Sequence, residues 1–272
     1  MFEFLVIAGV IVFAFACKSF ALPFFRRLGN VAILAATFLG GYFISGGNIV
    51  WGVIAALSWF FLPWLEILTR VRKLRLPLDK KLRSRFPPTR EQFPLLKDFT
   101  EEVREEGFEH VEDAGWDWEE MKQFVRFFRH PDNKHQAAIY LNEQTHLAYA
   151  YIAISSRTPG GDIWTTWNYP FSYTMKFAPE LHLNRVLNAE SFMELLACHE
   201  SFLNQQGIET EKLVDVPSED LQSVMEKELR NQIDHNLDKG LIRLSGQGTF
   251  RYSWRGMIFL WLQFVKDMVK MS

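Results

Sequence analysis

Cysteine is scarce in this 272-residue chain: there are two, Cys17 in an apolar run and Cys198 in a segment of helical periodicity. So placed, they form no disulfide framework, and the usage fits a reducing compartment. Charge is also missing in places. Val31 to Leu65 is 35 residues without one charged side chain, and Phe2 to Cys17 carries only Glu3. Bases run short further on, where residues 86–272 hold 19 Lys and Arg against 29 Asp and Glu, a net of −10. Nucleic acid needs a basic face, so this balance sets it aside as a partner. Internal repeats and low-complexity tracts are absent, as are nucleotide, redox-cofactor, kinase and hydrolase motifs. No cofactor and no metal are expected, although a convergent site needs no signature.

What the sequence does contain is a sharp partition. A single span takes about 20 apolar residues, so the uncharged 35 suit two short helices, with Gly46-Gly47-Asn48 as the reversal. Spans at roughly 29–46 and 49–68 form a hairpin. Lys18, Arg26 and Arg27 flank it on one side, and eight bases between Arg70 and Arg85 flank it on the other. The positive-inside rule then puts both ends in the cytoplasm, with Trp59 and Trp64 fitting an interfacial belt. Residues 2–17 read as a third short span, with a surface-lying helix as the alternative. Arg70, Arg72, Lys73, Arg75, Lys80 and Lys81 are the expected contacts to anionic lipid headgroups. An integral protein of a bacterial-type inner membrane is expected, its large domain cytoplasmic. The domains expected are an anchor (1–68, hairpin 29–68), a basic linker (69–88), an α+β domain (89–207) and a helical, winged-helix-like part (208–272).

Beyond the linker, Thr89 to Glu106 has helical spacing and Gly107 suits its end. Strands follow at Met121–Arg129, Gln136–Asn142, His146–Ser155, Asp162–Asn168 and Phe171–Phe177, separated by turn residues such as Pro131-Asp132-Asn133 and Gly160-Gly161. Short turns favour an antiparallel meander. Asp117 and Glu120 also make a capping box that could prolong a helix into the first strand. Helices return at Ala189–Gln206 and from Ser218 to Gly240. The fold class is therefore α+β, with N-terminal transmembrane helices before a meander flanked by helices.

Asn236 to Arg243, the turn Gly246-Gln247-Gly248 and Phe250 to Gly256 resemble the helix-and-wing ending of winged-helix domains, over about 219–256. That resemblance implies a two-stranded wing between helices. Glu219, Asp220, Glu226, Glu228, Asp234 and Asp238 depart from the DNA-binding version, so it implies a protein-interaction element. Met257–Val269 is apolar nearly all round, which suits a helix packed on the sheet or wing. Docking on the membrane, a partner helix or a second copy are its alternatives.

No catalytic constellation emerges from the reactive groups. His130, His135 and His199 are the polar residues singled out; His199 lies on an apolar stripe, where a hydrogen-bonded core imidazole is expected. Trp164, Trp167, Tyr169, Phe259 and Trp261 are the candidate interaction surface if bare. The expected function is a membrane-anchored interaction, regulatory or accessory-subunit protein, binding other membrane or cytoplasmic proteins or itself. An enzyme acting at the bilayer surface and a membrane-tethered sensor are the alternatives.

Overall fold

A computed structural model describes residues 2–20, 22–132, 134–144 and 147–271. Asn133 and His146, read above as part of a turn and the start of a strand, lie outside them. The fold mixes helix and sheet in two compact units, one of Met1–Leu74, Ser172–Thr174 and Tyr252–Ser272, the other of Arg75–Phe171 and Met175–Arg251. The last 21 residues thus group with the N-terminal helices.

In the first unit the apolar runs form α1 (Phe2–Lys18), α2 (Pro23–Ile44) and α3 (Ile49–Thr69). Two helical stretches, Arg27–Ile44 and Ile49–Lys73, are long and apolar enough to cross a membrane. Only 17% and 6% of them are buried, unlike the core helix of a soluble protein. Gly46 and Gly47 take positive φ to reverse the chain, and the Asn48 side chain caps α3 by accepting from Val50 N at 2.9 Å. Small residues let the helices touch. A Cβ on Gly41 would lie 2.6 Å from both Ala55 Cβ and Trp51 O, and one on Gly52 would lie 2.8 Å from the Phe38 ring. Trp59 Nε1 donates to Thr37 Oγ1 at 2.9 Å across the same interface.

The C-terminal helix α7 (Trp254–Met271) packs along α3. Trp261 is placed between Phe61 and Trp64, at 6.3 and 6.0 Å between ring centres, and donates to Phe60 O at 2.7 Å. Pro63 interrupts the backbone ladder of α3 at this level, where the indole adds a donor.

The second unit is built on a seven-stranded sheet in the order β2 (Arg83–Ser84), β3 (Glu109–Trp118), β4 (Met121–Arg129), β5 (Gln136–Gln144), β6 (Leu147–Arg157), β7 (Ile163–Trp167) and β8 (Leu181–Arg185). All neighbours are antiparallel except β7 and β8. Helices cover both faces, which is why the central strands are apolar on both sides. Phe124, Phe128, Ile139 and Ile154 pack with α4 (Leu96–Glu105) and α5 (Phe192–Gln205); Val125, Phe127 and Ala138 face the other way, towards Met225 of α6 (Leu221–Asp238). A smaller sheet has the order β1 (Leu76–Pro77), β10 (Thr249–Tyr252), β9 (Ile242–Leu244), so the hairpin after α6 gains a third strand.

Four local expectations change. Glu109–Trp118 is a strand: Trp118 pairs with Met121 around Glu119 at φ 52°, and cross-strand pairing overrides the capping box. Phe171–Phe177 is not a strand, because α6 supplies its hydrogen bonds further along: Asn236 Oδ1 accepts from Lys176 N at 3.0 Å and Gln232 Oε1 from Ala178 N at 2.9 Å. The parallel strand β8 follows instead. The first helix begins at Leu96, after a separate turn at Thr89–Phe93 and Pro94.

Candidate functional site

The hairpin joining β4 to β5 puts His135 at the start of β5, while β6, β7 and α5 bring Ser156, Thr166 and His199 against it. The four side chains form one buried chain. Ser156 Oγ lies 2.7 Å from His135 Nδ1 and 2.8 Å from His199 Nε2, and His199 Nδ1 lies 3.0 Å from Thr166 Oγ1. The imidazoles meet edge to face at 5.1 Å. Burial, with neighbouring His130 adding to it, lowers His135 to about 4; burial, with His135 adding to it, lowers His199 to about 3. Both are neutral near pH 7. Such a chain could pass a proton along Ser156, but each member is closed to solvent and no carboxylate adjoins them in these contacts. Its observed role is to satisfy buried polar groups.

His130 lies close enough to His135 to add to its shift. It sets its ring edge-on to Phe108 at 5.1 Å, and its Nδ1 accepts from Asp132 N at 3.1 Å. Its backbone N donates to His135 O at 2.9 Å. Among the described residues, no group of three or more His, Cys, Asp or Glu is placed to hold a metal ion.

The aromatic residues mostly pack the sheet. Trp164 is buried, stacked on His182 at 4.0 Å and edge-on to Phe202, and so presents no surface. Trp167 and Tyr169 are half-buried in a cluster where Tyr151 stacks on Tyr140 at 4.5 Å and meets Tyr169 at 5.0 Å. Burial raises the phenol pKa of Tyr140, Tyr149, Tyr151 and Tyr169. On α7, Phe259 and Trp261 are half-buried, while Ile258 and Leu262 are bare.

The basic run separates into two settings. In the first unit Arg70 pairs with Glu66 at 3.4 Å, and Arg72 lies over the Trp254 ring at 5.7 Å. In the second, Lys80, Lys81, Arg83 and Arg85 line a cleft of about 460 Å³ with Asp79, Asp117 and the indoles of Trp116 and Trp118. Its walls are braced. Trp116 Nε1 donates to Gln123 Oε1 at 2.7 Å, Gln123 Nε2 donates to Asn142 Oδ1 at 2.8 Å, and Trp118 Nε1 donates to Arg75 O at 2.7 Å. The Lys80 ammonium sits 4.1 Å from the centre of the Trp116 ring, and burial lowers its pKa to about 8. Gly115 leaves room for Arg85, because a Cβ there would come 2.8 Å from Arg85 Cδ.

Sequence reasoning grouped Lys80, Lys81, Arg83 and Arg85 in one basic run but missed Trp116 and Trp118 as their companions. The alternation of Trp116 and Trp118 on one strand face was the available signal. A second cleft of about 420 Å³ contains Arg90, Lys97, Arg104 and Arg126, but Arg126 is held by both Asp113 oxygens and Lys97 pairs with Glu101. No family model, no curated protein and no solved structure matches the chain, so function has to be read from these residues alone.

Proposed function

We propose that the chain is an integral membrane protein of a bacterial-type inner membrane whose acidic α+β domain serves, on the cytoplasmic side, as an interaction or accessory module. One observation carries this: two apolar helices, without a charge from Val31 to Leu65, leave most of their surface bare and are followed by a dense basic run. Anionic headgroups meet that run, and the bare residues of α7 offer a surface to a membrane protein or a second copy. We read the helix–hairpin–helix ending as a wing-like interaction element. The surface-enzyme reading loses support because two of its three imidazoles, His135 and His199, are closed off. The sensor reading gains some from the basic cleft, which could take a ligand.

Alkaline carbonate treatment of membranes should leave the full chain in the pellet. With Cys17 and Cys198 replaced, Asn48→Cys should react with an impermeant thiol reagent from outside, and Ser218→Cys only after lysis. Gentle solubilisation should bring down defined partners or a dimer. Release by carbonate, reversed labelling, or a consistently solitary monomer would each overturn the corresponding part.

A further inference from the structure

Two acids line the cleft with the four bases, and each has an arginine partner, although Arg230 also holds Asp234. Asp79 accepts from Arg230 at 2.7 Å, and Asp117 is paired with Arg85. Lys80, Lys81 and Arg83 remain, and none of the three makes an ion pair among the described residues. Three positive side chains without an ion-pair partner thus line a braced cleft in a domain that is acidic overall. Such a cleft costs like-charge repulsion unless an anion enters it. Arg83 can offer a fork of N–H donors, and the lysines add compact charges, the combination that suits tetrahedral oxyanions. The rim at Pro77 comes eight residues after Thr69, where α3 ends.

We infer that the cleft between residues 79–85 and Gly115–Trp118 binds one phosphate group, with Lys80, Lys81 and Arg83 as its cationic contacts. A terminal phosphate on a lipid headgroup and a soluble phosphoester share this chemistry. Only the choice of a lipid source rests on the membrane-anchored reading; the charge geometry of the cleft stands without it.

The test uses the full chain in nanodiscs and follows acylation of Lys80 by an amine-directed reagent at pH 8, where its lowered pKa makes it reactive. Three arms are compared: phosphatidylcholine alone, phosphatidylcholine with phosphatidic acid, and phosphatidylcholine alone with added glycerol 3-phosphate. Saturable protection of Lys80 is expected in one or both phosphate arms, and which arm responds identifies the source. Arg83→Gln, at an exposed position, should raise the half-saturating concentration about fivefold by removing a charge-assisted contact. Equal labelling in all three arms overturns the inference. So does protection that sodium chloride at matched ionic strength reproduces, or an Arg83→Gln curve that superimposes on the wild type. Protection by glycerol 3-phosphate in a chain that carbonate releases would retain the cleft and discard the anchor.

Discussion

The buried His135–Ser156–His199–Thr166 chain makes a quantitative demand on stability. Both imidazoles stay neutral in the fold, with values of about 4 and 3, while an unfolded histidine titrates near 6.5. The unfolded state therefore binds more protons as the pH falls below 6.5, and stability falls with it. The contribution is fully present above about pH 7.5 and is lost progressively down to the folded values. Between pH 7.5 and 5 each imidazole removes about 2 kcal/mol and the pair roughly 4, out of a total that is ordinarily 5–15. Asp113 confuses this window little, because it is held below its usual value: burial would raise it, but Arg126 and His110 outweigh that. The assay is denaturant unfolding of the full chain in detergent micelles, followed by tryptophan fluorescence at half-unit pH steps. His135→Asn keeps an acceptor near the Nδ1 position and His199→Gln near the Nε2 position, and either single variant should halve the loss. Stability that is flat from pH 7.5 to 5, or single variants with the wild-type slope, would refute the neutral, closed histidine chain.

Gly41→Leu should force α2 from α3 and destabilise the helical hairpin on the order of 2–3 kcal/mol, read as a lower unfolding midpoint in detergent. Trp261→Phe keeps the ring between Phe61 and Trp64 but loses the bond to Phe60 O, about 1 kcal/mol; Trp261→Ala should cost about 3 and expose 254–271 to protease. Arg157 grips both Glu228 oxygens where the side chains are 14% and 24% exposed. Arg157→Ala should destabilise by about 2 kcal/mol, below the fully buried limit, and adding Glu228→Met should restore most of it, as a double-mutant cycle would measure.

Much of the sheet was legible because its central strands repeat with a period of two while both faces are covered. Phe124 and Phe128 point one way and Val125 and Phe127 the other, so β4 reads as a strand whichever face is inspected. The strand β3 was hidden because its first half is acidic, and its Asp113 is satisfied by Arg126, a partner invisible from the local sequence. Likewise β8 is five residues whose ladder is parallel and whose neighbour β7 lies beyond a long connection. At the candidate sites, sequence located the imidazoles but not the bridge. Ser156 is 43 residues from His199, a separation no periodicity spans. The basic cleft was half visible, since its charges are consecutive but its indoles come from a different strand.

The return of α7 to α3 bears on the order in which the molecule can be completed. Residues 254–271 leave the ribosome after the entire sheet domain, yet their partners Phe60, Phe61 and Trp64 emerged long before. The helical unit is therefore begun before the sheet domain and finished after it, and until it is finished α3 keeps an empty berth beside Pro63. Interrupted synthesis would yield chains with a whole domain but an open berth, giving a quality-control factor a feature by which to tell partial chains from finished ones.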